Sequence, residues 1–190
     1  FIKSILDVWR EKEGLHPVGL LSTIVTDDGA QRRPATLTTP EPLDLQRHLW
    51  NAKEAGCGYV VMECSSQALK YGRMAGVELA VAAFLNLGED HISPKEHPTA
   101  EDYFQSKLKI FDHAKCAVAN LDSDRSGEIL DVAERCGRWG VYSMKFAHDL
   151  VRRREGMGFT VRIKEREEAF LIPMTGDFTV SNALCAISVC

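Results

Sequence analysis

Apolar and polar residues along this chain follow two different spacings. Residues 1–14 (FIKSILDVWREKEG) carry apolar side chains at positions 1, 2, 5, 6 and 9, the spacing of one helical face, and Gly14 indicates where that helix stops. Residues 43–55 show roughly the same helical spacing and end at Gly56. Short continuous apolar runs instead predict buried strands at residues 18–25, 59–64 and 77–87.

The second half of the chain continues the alternation of helices and strands. A helix is predicted over residues 99–114 (TAEDYFQSKLKIFDHA), with Thr99 as its N-cap because its hydroxyl can accept a bond from a free backbone N–H. Further helices are predicted at 66–73, 125–137 and 181–190, and further strands at 115–122 and 138–144. Residues 26–42 (TDDGAQRRPATLTTPEP) are predicted to form a long loop.

These elements indicate an α/β fold. Strands that are apolar on both faces and separated by helices are typical of a mostly parallel sheet with helices on both faces. From about residue 158 the pattern changes, and FTVRI, KEREE and AFLIP predict an antiparallel hairpin, a smaller sheet appended to the first. A chain of 190 residues can bury a sizeable core as one domain.

Composition narrows the class of protein. A net charge of -4 argues against a general binder of nucleic acid or of membrane surfaces, which are both polyanionic. The longest apolar run, residues 79–85, is far short of the roughly 20 residues that span a bilayer, and no export signal is evident, so we expect a cytoplasmic protein. The cysteines contain no CxxC pair and are interpreted as reduced thiols. The chain begins and ends inside helical patterns, so we expect it to be one domain of a longer protein.

Three residues could carry chemistry at one edge of the predicted sheet. Glu63 ends an apolar strand, where a charge is costly unless it is paired or binds a metal. His91 follows the next apolar strand, and Lys107 lies on the helix that begins near Thr99. Taken singly, the commoner interpretations are an ion-paired glutamate, a turn histidine and a lysine that extends along an apolar surface to water.

Taken together, the three residues predict a cation site. The strands before Glu63 and His91 are expected to be neighbours, and open parallel sheets bind ligands at the carboxyl ends of their strands. Carboxylate and imidazole suit a divalent cation, and Mg²⁺ would keep waters and phosphate oxygens in its shell. An ammonium cannot bind a metal, but carbamylation by CO₂ would turn Lys107 into an anionic oxygen ligand.

Five segments, in order along nearly the whole chain, resemble the Mur ligases, and most closely the MurE-like peptidoglycan-precursor synthetases. PATLTTPEPLDLQ (34–46) is similar to the TTPE segment of that family, YVVMECSSQAL (59–69) to VMEVSSHAL, and FLNLGEDHIS (84–93) to FTNLSRDHLD. EDYFQSKLKIF (101–111) resembles the tyrosine-to-lysine helix of the family, and GDFTVSNALCA (176–186) resembles GxFNVSNALAA. One such segment would be a weak signal, whereas five in register are a strong one.

The resemblance implies that residues 1–190 are the central, ATP-binding domain of a Mur ligase, with a P-loop NTPase-like fold. Such enzymes activate a substrate carboxylate with ATP, and an amino acid then attacks the acyl phosphate. The implied catalytic and metal residues are Glu63 as a ligand of Mg²⁺, His91 as a ligand of a second Mg²⁺, and a carbamylated Lys107 that supports the second ion. The implied binding residues are Thr38, Thr39, Ser65 and Arg73 for the UDP-MurNAc-peptide, and Asn182 for the adenine of ATP.

The chain departs from the family pattern at several positions. The phosphate-binding loop of the family (GTNGKTT or similar) should lie immediately before the first helix, so we expect this chain alone to use ATP poorly, and the UDP-binding and amino-acid-binding domains to lie outside it. Gln67 replaces the histidine of SSH, and Thr179 replaces an asparagine near the last helix. The loop HISPKEHPTAEDY is longer than the usual HLDYHGxxEDY, and we interpret its His97 as exposed and without function.

Three hypotheses for the function remain open. The first is a MurE-like ligase that adds an amino acid to a UDP-MurNAc-peptide, which the TTPE segment and the SSxxL-Arg arrangement favour. The second is a related ligase that acts on another carboxylate, of the folylpolyglutamate or cyanophycin type. The third is a nucleotide-binding module without turnover.

Overall fold

Helices and strands alternate along the chain in the computed structural model, which describes residues 1–14, 17–88 and 92–190. The helices are α1 (Ile2–Glu13), α2 (Pro42–Glu54), α3 (Ser66–Lys70), α4 (Ala100–Leu108), α5 (Ser126–Ala133) and α6 (Asp177–Val189). The strands are β1 (Val18–Leu21), β2 (Val25–Asp27), β3 (Arg32–Pro34), β4 (Tyr59–Met62), β5 (Leu79–Phe84), β6 (Ala114–Asn120), β7 (Arg138–Tyr142), β8 (Ala147–Arg153), β9 (Gly156–Ile163) and β10 (Arg166–Ile172). Short 3-10 turns lie at Lys109–His113 and Met144–Phe146.

The described residues divide into two compact units. The N-terminal unit comprises residues 2–79 and 88–113, and the C-terminal unit comprises residues 80–87 and 114–190 together with Phe1. The N-terminal unit contains a sheet of order β3-β2-β1-β4, in which β1 and β4 are parallel and the other pairs are antiparallel. The C-terminal unit contains the parallel sheet β5-β6-β7 and the antiparallel sheet β10-β9-β8.

The predicted α/β class is confirmed, but the parallel strands lie in more than one sheet. β4, which precedes Glu63, pairs with β1, whereas β5, which precedes His91, pairs with β6 in another sheet. β4 belongs to the N-terminal unit and residues 80–84 of β5 belong to the C-terminal unit, so the expectation that these two strands are neighbours stays a prediction. A continuous apolar run indicates that a strand is covered on both faces, but it carries no information on which strand lies beside it.

The predicted strand at residues 18–25 is wrong in its second half. Ser22 ends β1, because its hydroxyl accepts a bond from the backbone N–H of Val25 (3.1 Å) and lies 3.0 Å from the carbonyl oxygen of the same residue. These contacts turn the chain back, and β2 runs antiparallel to β1. The predicted long loop over residues 26–42 accordingly contains most of β2 and all of β3, joined by a turn in which Gly29 has a φ of +78°.

Helices α2 and α4 of the N-terminal unit follow their sequence pattern. Leu21 of β1, Leu45 of α2 and Met74 are each at most 1% exposed and belong to one apolar cluster. The predicted cap of α4 is confirmed, since the hydroxyl of Thr99 accepts a bond from the backbone N–H of Asp102 at 3.0 Å. The start of α4 is thus fixed by a local interaction that its sequence encodes.

In the C-terminal unit, α6 packs against strands of both sheets. Val180 and Leu184 of α6 share an apolar cluster with Tyr142 of β7 and Phe159 of β9. The predicted hairpin is confirmed as β9 and β10, and β8 extends it to three strands. Within the three described ranges, no helix combines the length and apolar character needed to cross a bilayer.

A buried carboxylate fixes the turn between β2 and β3 against α2. Asp28 is 1% exposed, and its Oδ2 accepts bonds from Nδ1 of His48 (2.7 Å) and from Nδ2 of Asn51 (2.9 Å). Its Oδ1 accepts a bond from the backbone N–H of Gln31 (2.9 Å). Burial alone would raise the pKa of Asp28, but the hydrogen bonds from these three residues outweigh it and lower the pKa to about 2. The ionised form therefore contributes to stability.

Replacing Asp28 by asparagine (Asp28→Asn) should lower the free energy of unfolding of the intact protein by about 2 kcal/mol at neutral pH, the equivalent of the pKa shift. Because the folded pKa lies below the ordinary value of 3.8, this stabilisation is complete above 3.8 and is lost as the pH falls towards about 2. Urea unfolding of both proteins across this range measures the difference. Asp44→Asn is the matched control, since the half-exposed carboxylate of Asp44 pairs with Arg47 at the surface of α2, and it should change stability by less than about 0.5 kcal/mol. A deficit in Asp28→Asn that is independent of pH would contradict this account.

Candidate functional site

Glu63 is held at the carboxyl end of β4 by the segment that follows β1. Its backbone N–H donates to the carbonyl oxygen of Leu21 (2.9 Å), which continues the parallel pairing by one residue. Its side chain is exposed, and Oε2 accepts bonds from the backbone N–H (2.8 Å) and the hydroxyl (2.6 Å) of Thr23. The carboxylate is therefore fixed in position while it still faces solvent, which suits a residue that binds a cation.

Thr38 and Thr39 of the TTPE segment join the same edge. The hydroxyl of Thr38 lies 3.1 Å from that of Thr23. Thr39 is 1% exposed, and its hydroxyl donates to the carbonyl oxygen of Glu63 (2.9 Å) and accepts from the backbone N–H of Ser65 (2.9 Å). Thr39 thus connects the TTPE segment to the residues on both sides of Cys64.

Ser65 and Arg73 complete this network. The hydroxyl of Ser65 accepts a bond from the backbone N–H of Ala68 (3.2 Å) and so caps α3. The guanidinium of Arg73 donates to the carbonyl oxygen of Thr39 (3.2 Å) and forms an ion pair with Glu41 (2.8 Å). The four residues assigned by resemblance to the UDP-MurNAc-peptide therefore lie in one hydrogen-bonded network with Glu63.

Lys107 lies on α4 and is half-buried. Its ammonium is 5.2 Å from the centre of the Tyr103 ring and 3.5 Å from the Tyr103 hydroxyl. Burial lowers the pKa of Lys107 below its ordinary value, since the charged form is less well solvated there. Lys107 and Glu63 belong to the same unit, and the side chain of Lys107 packs on Tyr103 instead of extending freely into water.

His91 lies outside the described residues, so the convergence of Glu63, His91 and Lys107 on one site stays a prediction. Among the residues that the structure does describe, no group of three or more His, Cys, Asp and Glu side chains could hold a metal ion. Asn182 lies in the C-terminal unit, half-buried near the middle of α6, and its adenine contact also stays a prediction. Thr179, one turn earlier in α6, is fully buried and lies 3.3 Å from the carbonyl oxygen of Thr175.

The interpretation of His97 as an exposed residue is wrong. Its side chain is 0% exposed, with Nδ1 2.7 Å from Oδ2 of Asp102 and Nε2 2.9 Å from the hydroxyl of Ser66. Its ring lies 5.1 Å from that of Tyr103. A usable signal was present, because counting back six residues from Tyr103 aligns His97 with the second histidine of HLDYHGxxEDY. An alignment that starts from His91 misses this match, because the loop is longer than in the family motif.

Comparison with known proteins shows which family the chain belongs to. The sequence profile of the Mur ligase middle domain matches residues 2–190. This chain belongs to that family. Its identity to the UDP-N-acetylmuramoyl-L-alanyl-D-glutamate--2,6-diaminopimelate ligase of Clostridium tetani (strain Massachusetts / E88) is 34% over 192 residues, which covers 100% of this chain and 38% of the relative. Its identity to the UDP-N-acetylmuramoyl-L-alanyl-D-glutamate--L-lysine ligase of Streptococcus mutans serotype c (strain ATCC 700610 / UA159) is 32% over 188 residues, which covers 94% of this chain and 36% of the relative.

The fold of this Mur ligase middle domain is likewise similar to that of a solved structure. A UDP-N-acetylmuramoyl-L-alanyl-D-glutamate--2,6-diaminopimelate ligase superimposes with a TM-score of 0.80 at 23% identity, covering 98% of this chain and 39% of the other. The chain therefore spans less than two fifths of the length of these relatives.

The buried hydroxyl of Thr39 should be needed for folding, because its removal leaves a backbone donor and a backbone acceptor without their partner. Thr39→Val is expected to lower the free energy of unfolding by about 1–3 kcal/mol, whereas Thr39→Ser keeps the hydroxyl and should lose much less. Thermal unfolding of the intact protein measures both variants. Thr38→Val is the control, since it changes the neighbouring, less buried hydroxyl. Equal decreases in the free energy of unfolding for Thr38→Val and Thr39→Val would contradict the idea that the bridging hydroxyl of Thr39 stabilises the fold.

Proposed function

We propose that the full-length protein is an ATP-dependent ligase that joins an amino acid to a UDP-MurNAc-peptide, with ATP and Mg²⁺ as cofactors. The observation that carries this proposal is the network of Thr38, Thr39, Ser65 and Arg73 around Glu63, built from two segments that resemble the substrate-binding segments of the family. The names of the relatives, which are ligases of muramoyl peptides, support it. The reaction is assigned to the cytoplasm, where ATP and nucleotide-linked precursors are available.

The donor set of this chain fits Mg²⁺. Glu63 presents an exposed carboxylate whose orientation is fixed by two bonds from Thr23, and hard cations prefer carboxylate oxygens. Glu63 would hold one ion, and His91 with a carbamylated Lys107 would hold a second. When bound, the ions and ATP supply the activation of the substrate carboxylate and the neutralisation of phosphate charge.

Lys107 is suited to carbamylation by its surroundings. CO₂ reacts with the neutral amine, and burial of Lys107 lowers its pKa and so disfavours the ammonium form. The resulting carbamate would carry anionic oxygens that can bind a cation, which an ammonium cannot do. Lys107 therefore serves the proposed reaction in its modified form.

The four residues that the resemblance assigns to the substrate divide into two groups by exposure. Thr38 and Ser65 are half-buried, so their side chains can meet a bound ligand. Arg73 retains 18% of its side-chain exposure and offers a cationic group to an anionic substrate. Thr39 is buried, and we assign it to holding Glu63 and Ser65 in register instead of contacting the substrate itself.

The proposed function is tested by turnover of the intact protein with ATP, Mg²⁺, UDP-MurNAc-L-Ala-D-Glu and either diaminopimelate or L-lysine. We expect release of ADP and phosphate together with a product heavier by the added amino acid less one water. Release of ADP only with a folate glutamate or an aspartate polymer would establish the related ligase instead. Nucleotide binding without any product would establish a module without turnover.

Lys107→Ala should lower ligase turnover by about 100-fold or more, because the variant lacks the anionic carbamate that is proposed to hold the second Mg²⁺. Short-chain carboxylates such as acetate or propionate, added at high concentration, should restore part of the activity by supplying the missing oxygens. Lys109→Ala, two residues on and exposed, is the control and should retain wild-type turnover with no response to acetate. Unchanged activity in Lys107→Ala would exclude the carbamate.

A further inference from the structure

His97 connects α3, α4 and the segment that follows His91 through contacts in four directions. Nδ1 lies 2.7 Å from Asp102 in the first turn of α4, and Nε2 lies 2.9 Å from Ser66 at the start of α3. The ring packs 5.1 Å from that of Tyr103. Its backbone is paired with Ile92 in a β-bridge. A side chain that uses both ring nitrogens and is 0% exposed has one orientation available.

Lys70 adds to the contacts between α3, α4 and the segment that begins at Ile92, which together form one junction. Its ammonium, in the last turn of α3, forms an ion pair with Asp102 (2.7 Å) and donates to the carbonyl oxygen of Glu96 (3.0 Å). Lys70 and His97 are therefore both hydrogen-bonded to the same carboxylate oxygen of Asp102. The pKa of Asp102 is lowered by the bonds from Lys70 and His97, so the carboxylate stays ionised and keeps both partners.

Three of the four contacts of His97 involve a residue that lies beside a residue of the proposed reaction. Ser66 is the neighbour of Ser65 in the chain, and Ile92 is the neighbour of His91. The ammonium of Lys107 lies 5.2 Å from the centre of the Tyr103 ring. The buried His97 thus contacts the chain neighbours of Ser65 and His91 and the tyrosine on which Lys107 packs. Ser65, His91 and Lys107 are the proposed substrate residue, metal ligand and carbamylated lysine.

We propose that His97 is a positioning residue for the ligase reaction, which sets the relative placement of Ser65, the segment that begins at Ile92, and Lys107. This inference rests on the proposed function. His97 does not contact the reacting atoms and acts through Ser66, Ile92 and Tyr103. An error of about 1 Å in the placement of a reacting group can cost on the order of 100-fold in rate, so removal of this junction should act on turnover more than on folding alone.

The spacing of Ser66, His97 and Asp102 also resembles a Ser–His–Asp nucleophile, but the surroundings favour positioning. Lys70 neutralises the same oxygen of Asp102 that faces His97, which weakens the support that the carboxylate gives to an imidazolium. His97 is also closed off from solvent. Ser66 should therefore not react with a fluorophosphonate probe, and stoichiometric labelling of Ser66 would overturn the positioning role.

The experiment compares His97→Ala, Ser66→Ala and His113→Ala in the intact protein. His113 is the matched control, a half-buried histidine of the same unit with Nδ1 3.1 Å from the carbonyl oxygen of Val77. We expect His97→Ala to lower kcat by about 10- to 100-fold, to raise the Mg²⁺ concentration for half-maximal rate, and to reduce the ¹³C-carbamate signal at Lys107 with ¹³C-bicarbonate. Ser66→Ala removes one hydrogen bond and should change KM for the UDP-MurNAc-peptide by roughly fivefold with a smaller effect on kcat.

Amide hydrogen exchange separates failure of this inference from failure of the proposed function. His97→Ala should speed exchange across residues 92–108 relative to His113→Ala, whether or not the wild type is a ligase. An inactive wild type with this change in exchange would refute the ligase proposal and leave the junction established. An active wild type in which His97→Ala matches His113→Ala in kcat, Mg²⁺ dependence and carbamate signal would overturn the positioning role.

Discussion

A carboxylate needs hydrogen-bond donors in the folded chain, most of all where it is removed from water, and this requirement organises the N-terminal unit. Asp28 meets it with His48, Asn51 and a backbone N–H, and so fastens the β2–β3 turn to α2. The exposed Glu63 meets it with Thr23, and the half-buried Asp102 meets it with Lys70 and His97. In each case at least one donor comes from a segment that is distant in the chain, so satisfying one charge also fixes a tertiary contact.

The candidate site is built on backbone atoms as much as on side chains. Thr39 joins two segments by bonding to a carbonyl oxygen and an N–H, and Arg73 bonds to the carbonyl oxygen of Thr39 itself. The hydroxyls that we propose to face the substrate are therefore attached to a frame of backbone hydrogen bonds. This arrangement is typical of sites whose geometry is formed before binding.

Sequence patterns predicted those features that depend on local physics. The cap of α4 at Thr99, the class of the fold and the antiparallel hairpin each follow from residues close in the chain, and each is confirmed. The second half of the 18–25 strand was mispredicted because one serine turns the chain, an effect that an apolar count does not register. The burial of His97 depends on Ser66 and on Asp102, and the partner 31 residues away cannot be found by periodicity. The resemblance assigned Thr38, Thr39, Ser65 and Arg73 to one substrate. The buried, bridging role of Thr39 depends on Glu63 and Ser65, which are distant in the chain, and no local pattern predicts it.

The turn between Ile92 and His97 has a consequence for how this protein can vary. Its two ends are joined by the bridge between these residues and by the bond from the Ser93 N–H to the carbonyl oxygen of His97 (2.9 Å). A loop whose ends are already closed can gain or lose residues at small cost, about 0.6 kcal/mol for each doubling of length. Insertions and deletions between these two positions are thus absorbed locally, and the segment can diverge in length during evolution while the flanking residues keep their places.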